Sequence, residues 1–136
     1  MPLTLTTSKL TPNLVVSDVS RAIAFYRDVL GFKLVQTVPD APPFVFAILQ
    51  SGPVEIFLNA REAVEAEYPP FKGRPIGGTL TLFIEIEHIN EVHAALKDRV
   101  NIVMPYEKKW YGVTEFAFTD PDGYIITFAQ PDPTQR

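Results

Sequence analysis

Two stretches of the chain, 13–35 and 83–104, read as copies of one strand-to-helix unit offset by seventy positions. Leu14-Val15-Val16-Ser17-Asp18-Val19-Ser20 aligns with Ile84-Glu85-Ile86-Glu87-His88-Ile89-Asn90, and Ala22, Tyr26, Arg27 and Asp28 align with Val92, Leu96, Lys97 and Asp98. Such a repeat constrains the fold more than any single motif, because each copy is a supersecondary unit that buries its apolar face against its twin. It also marks equivalent positions, so a site shared by both copies is sought at matching places.

Hydrophobic periodicity fills in the rest. A strand is expected over 10–16, with Leu10, Leu14 and Val16 on one face and Thr11, Asn13 and Val15 on the other. Ser17 or Asp18 caps a helix whose stripe is Ala22, Ile23, Tyr26, Val29 and Leu30, and Gly31 ends it. Strands at 32–38 and 44–49 flank the proline-rich turn 39–43, and Ser51-Gly52-Pro53 turns into a strand at 54–59. The first module, 8–59, is therefore β-α-β-β-β. A linker is expected at 60–78: a helix-compatible run, 61–67, gives way to Pro69, Pro70, Gly73, Pro75, Gly77 and Gly78. The second module, 79–131, reads as a strand at 79–87, a helix at 90–99, and strands at 101–103, 114–119 and 124–130. Asp120-Pro121-Asp122-Gly123 forms the turn before the last strand. All of 1–136 is expected to form one domain.

With 136 residues, a net charge of −4 and a pI near 5.1, the chain suits neither a nucleic-acid backbone nor an anionic membrane surface. Lys108-Lys109 is the only short basic cluster, and the absence of cysteine removes disulfides and thiolate metal sites. Neither a signal-peptide core nor a spanning apolar run stands out, so a cytoplasmic protein is expected.

Three blocks carry a family resemblance: Leu14-Val15-Val16-Ser17-Asp18-Val19, then Phe25-Tyr26-Arg27-Asp28-Val29-Leu30-Gly31-Phe32, then Glu115 through Tyr124 with its Asp-Pro-Asp-Gly turn. Together they resemble the vicinal oxygen chelate superfamily of glyoxalase I, extradiol dioxygenases and the fosfomycin- and bleomycin-resistance proteins. The resemblance spans about 10–130 and implies an α+β fold of two βαβββ modules forming a curled mixed sheet with a concave cavity. It also implies a homodimer. In the metal-dependent branch, four cavity positions carry His, Gln or Glu; by alignment they are Thr11, Glu55, Thr81 and Thr127 here. One carboxylate and three hydroxyls make a poor donor set for Zn, Ni or Fe, so no metal and no other cofactor is expected. His88 and His93, five positions apart, do not share a helix face and read as surface or helix-start residues.

The direction set by those four positions assigns the cavity face: Thr11, Asn13, Glu55, Phe57, Asn59, Thr81, Phe83, Glu85, Glu115 and Thr127, with Trp110 and Tyr111 on a bordering loop. The opposite face, including Leu14, Val16, Ile56, Leu58, Leu82, Phe116, Phe118, Ile126 and Phe128, is almost wholly apolar, as a helix-packed surface should be. Carboxylates beside aromatic rings suit a small organic ligand that is cationic or aromatic. A sequestering binder resembling bleomycin-resistance proteins is thus expected, with no catalytic residue assigned. The alternative is a metal-dependent lyase, isomerase or dioxygenase that uses Glu55 with unusual ligands.

Overall fold

Asp18 starts the first helix: its carboxylate accepts the Arg21 backbone N–H at 3.1 Å, and Val19, Ala22 and Ile23 turn to the interior. In the computed structural model, which describes residues 3–133, this helix is α1 (Val19–Ala24). It follows strand β1 (Asn13–Val16) and leads into β2 (Lys33–Val38), β3 (Phe46–Ser51), β4 (Val54–Ala60) and helix α2 (Arg61–Glu67). The second half supplies β5 (Thr81–Glu85), α3 (Ile89–Leu96), β6 (Asn101–Lys108), β7 (Val113–Thr119) and β8 (Ile125–Pro131). Two mixed four-stranded sheets result, ordered β1-β4-β3-β2 and β5-β8-β7-β6. In each, the strand before the helix runs parallel to the last strand of its module. The register repeats as well. Asn13 opposes Phe57, and Phe83 opposes Thr127, the same pair moved by seventy positions.

Four local expectations shift. First, β1 begins at Asn13, and Leu10 is 89% exposed rather than on the core face. Pro12 explains the late start: its carbonyl accepts the Phe57 N–H at 2.9 Å, but proline has no N–H with which to extend the ladder. Second, α1 does not continue as a regular helix through Leu30. It widens into a π-helical stretch, Phe25–Val29, with the Leu30 N–H donating to the Phe25 carbonyl five residues back. Tyr26 is fully buried there, and the Phe25 ring lies 6.4 Å from Phe118 of the other module. Third, β6 runs on to Lys108 instead of ending near 103, because Pro105 is tolerated in an edge strand with register shifts on either side of Met104. Fourth, α3 is shorter than 90–99. His88 precedes it in a left-handed conformation (φ 56°) without a side-chain cap, and Gln130 Oε1 of β8 accepts the Ile89 N–H at 2.9 Å instead.

One face of each sheet builds a common core with α1 and α3. Leu14, Val16, Ile56 and Leu58 join Phe116, Phe118, Ile126 and Phe128, and the aromatic members meet edge-on or tilted at 5.2–5.8 Å. The 120–124 turn clamps the halves. Tyr26 Oη donates to Asp120 Oδ2 at 2.7 Å, Ser17 N–H and Oγ–H donate to Asp122 Oδ1 at 2.9 and 2.8 Å, and Tyr124 Oη donates to the Val15 carbonyl at 2.8 Å. Burial pushes the Asp120 carboxyl upward against the pull of its hydrogen bonds from Tyr26, Tyr124 and Asp122. No helix among the described residues is long and apolar enough to cross a membrane.

Candidate functional site

Because the core consumes one face of each sheet, the other faces turn away from it. On the second sheet, cross-strand pairing makes two rows: Glu85, Ala129, Glu115 and Glu107, then Phe83, Thr127, Ala117 and Met104. The middle of this surface is small and buried, with Ala117 at 3%, Ala129 at 0% and Thr127 at 7% exposure, while Phe83 at its edge is 56% exposed. Buried residues thus occupy the centre of this face and an exposed ring its edge. Glu115 is buried on the same face and accepts the Tyr111 Oη–H at 2.8 Å, which raises the Tyr111 phenol above its ordinary range. Trp110, 93% exposed, stands edge-on to Tyr111 at 5.2 Å on the β6–β7 hairpin.

The outer face of the first sheet differs. Asn59 Nδ2 donates to Asn13 Oδ1, so these two amides satisfy one another. Phe57 packs edge-on against Phe46 at 5.1 Å, a contact that leaves both rings half-buried. At the N-terminal end of β4, Glu55 Oε1 accepts the Thr11 hydroxyl at 3.4 Å and lies 2.7 Å from Lys9 Nζ. Beside it a groove of about 640 Å³ runs between β4 and β5, lined by Leu10, Pro12, Glu55, Thr81, Phe83 and Glu85 among others.

The structure thus brings Glu55 of the first module to Thr81, Phe83 and Glu85 of the second. Asn13, Phe57 and Asn59 lie on the same sheet face as Glu55, whereas Thr127 and Glu115 lie on the face that carries Phe83. Trp110 and Tyr111 sit at the far end of the order β5-β8-β7-β6, away from the groove. Lys9 was not picked out from the sequence, and Leu10, expected on the core face, lines the groove instead. Period-two alternation held the signal for Lys9, two residues before Thr11 and so on its face.

The residues do not fit a metal ion. Glu55 is the only carboxylate among the four family-aligned positions, and an ammonium already occupies its Oε1. The repeat also moves Glu55 onto Ile125, which opposes Thr81 as Glu55 neighbours Thr11, so the second module has no matching acid. Among the described residues no three His, Asp or Glu side chains gather as metal ligands do.

Known proteins agree with this architecture. A bleomycin resistance protein of Geobacillus stearothermophilus is 32% identical over 129 residues, covering 88% of this chain and 93% of its own. A virulence protein of Salmonella typhimurium is 34% identical over 124 residues, covering 86% and 79%. The crystal structure of the Salmonella protein superposes with a TM-score of 0.69 at 28% identity over 94% of this chain and 99% of that one. A superfamily member from Sphaerobacter thermophilus gives a TM-score of 0.75 at 24% identity, covering 92% and 98%. The family profile matches residues 9–128. The chain belongs to the glyoxalase/bleomycin resistance protein/dioxygenase superfamily.

Proposed function

We propose that this chain binds and sequesters a small cationic or aromatic organic molecule, without a catalytic metal, in the groove between β4 and β5. The observation that carries this reading is the seat of Glu55. Its carboxylate is held by Thr11 at a groove wall and already receives an ammonium, that of Lys9, at 2.7 Å. Lys9 is on the exposed N-terminal arm, with its side chain 62% exposed, so a ligand cation can replace it at little cost. Phe83 supplies an exposed ring on the opposite wall for stacking or cation–π contact. The relative at 32% identity is named for bleomycin resistance, and bleomycin-like glycopeptides are accordingly the first ligands to try.

The site is proposed to be completed in a homodimer, in which the outward face of one copy's first module meets that of the other copy's second module. A wall from a second copy would bring the Trp110–Tyr111 hairpin over a groove that lies beyond its reach within one chain. The test is calorimetric titration with a cationic bleomycin-like glycopeptide, with tryptophan emission followed in parallel. Saturable binding is expected, and Glu55→Gln should weaken it about tenfold, or ~1.4 kcal/mol. No heat and no thermal stabilisation across a panel of cationic aromatic compounds would end this reading. Retention of stoichiometric Zn, Ni, Mn or Fe after dialysis would overturn the metal-free part.

A further inference from the structure

A second cavity, which shares no lining residue with the groove, lies beneath the segment that joins the modules. After α2 the chain makes a tight turn, Pro69–Phe71, and then crosses the junction of the two halves as a strap. The strap is anchored. Glu65 Oε2 accepts the Gly73 N–H at 3.1 Å, and Gly77 approaches the 120–124 turn so closely that a Cβ there would meet the Asp122 carbonyl at 2.6 Å. Between the strap and the outward face of β1 is a space of about 370 Å³. Its walls are apolar: Val15 of β1, Phe71, Ile76 and Leu80 of the strap, and the ring of Tyr124.

Two guanidinium groups join this apolar lining. Arg61 spends one N–H on the Arg74 carbonyl at 3.3 Å and makes a long ion pair, 3.9 Å, with Glu65 one turn on. Arg74 uses its Nε–H on the Pro70 carbonyl at 2.9 Å. Each guanidinium has five N–H donors in a planar fork, so most remain for a ligand, and the fork matches the two oxygens of a carboxylate. Glu65 is the only acid in the lining, and its Oε2 is committed to the strap, so the site is net cationic in a protein of net charge −4. The volume lies at the small end of the range for small-molecule pockets.

We infer that this strap-covered cavity is a binding site for a small apolar monocarboxylate, its hydrocarbon body packed between Val15, Phe71, Ile76 and Leu80 and its carboxylate held by Arg61 and Arg74. The charge preference is opposite to that of the Glu55 groove. The site stands apart from that groove and does not depend on the reading given to it.

Octanoate is the probe, with octan-1-ol and octylamine as comparators of the same chain length, titrated calorimetrically into the intact protein. Octanoate is expected to bind at least about tenfold more tightly than either comparator. The Arg61→Met, Arg74→Met double variant should lose that margin while still binding the alcohol. Ile76→Trp, which fills the cavity from the strap and leaves both arginines in place, should abolish binding of all three; its far-UV spectrum and melting curve establish that it is folded. Equal affinity for octanoate and octanol, no octanoate binding at millimolar concentration, or full octanoate binding by either the double variant or Ile76→Trp would each overturn the inference.

Discussion

Tyr26 shows how much one side chain carries. It is fully buried in the π-helical stretch, and its hydroxyl gives Asp120 a hydrogen bond across the two modules. Burial first, then the charge of Asp120 and the hydrogen bond to it, push the phenol far above its ordinary range. A pKa raised on folding means stability that is complete below the unfolded value, about 10 for tyrosine, and lost as pH climbs past it. Denaturant melts should therefore show weakening above about pH 10 that is less steep in Tyr26→Phe. At neutral pH the same variant should be less stable by about 1–3 kcal/mol, since Asp120 Oδ2 loses its donor in a buried place. Lys9→Ala makes a contrast. Its partner Glu55 sits at a half-open surface, so stability should change by less than about 0.5 kcal/mol while affinity for a cationic ligand rises. A melt with a large loss, or a titration with weaker binding, would contradict that. Alternation along β1, β4 and β5 made Thr11, Glu55 and Phe83 legible in the sequence. The pairing of Glu55 with Lys9 was not, because alternation assigns Lys9 a face but cannot say which acid it meets ahead of a strand that begins only at Asn13.

Among the elements, α1 and α3 start by different devices, and only one is visible in sequence. Asp18 is a local cap three residues before the N–H it receives, which a reader of the chain can find. The α3 start takes its acceptor from Gln130, forty-one residues away, and no local pattern announces that bond. Gln130→Ala should accordingly cost about 1 kcal/mol and loosen hydrogen-exchange protection at Ile89 more than at Leu96. The strap was legible as a Pro- and Gly-rich connection, yet its docking on the 120–124 turn was not. Gly77 and Gly78 separate conformation from space. Both have positive φ, 79° and 108°, but only Gly77 faces a backbone carbonyl at 2.6 Å. Gly77→Ala should thus cost clearly more than Gly78→Ala, by roughly 1 kcal/mol or more in paired melts, because strain is common to both and the clash to one. Equal losses would mean that the strap can lift off the turn.

Over the whole molecule, the repeat governs. The βαβββ architecture could be read from an offset of seventy because equivalent residues keep equivalent registers, down to Asn13 with Phe57 and Phe83 with Thr127. How the two units face one another was beyond that reading, since it depends on Tyr26, Phe25 and the 120–124 turn meeting across long sequence separations. Phe83, 56% exposed in a single chain, is the natural residue by which to test the proposed dimer. Phe83→Asp should shift light scattering at micromolar concentration from dimer to monomer, and an unchanged dimer would exclude this face.

The strap crosses the junction but adds little to the core on either side of it, where Phe116, Phe118 and Phe128 interlock with Leu14, Val16 and Leu58. Lys72 is exposed in that strap, within reach of trypsin, whereas the Arg74–Pro75 bond resists that enzyme. A chain nicked there should elute as one particle with an unchanged far-UV spectrum, and fragments that part under native conditions would contradict it. With that outcome, peptide-bond continuity between the halves would be dispensable, and halves expressed separately should restore the fold on mixing.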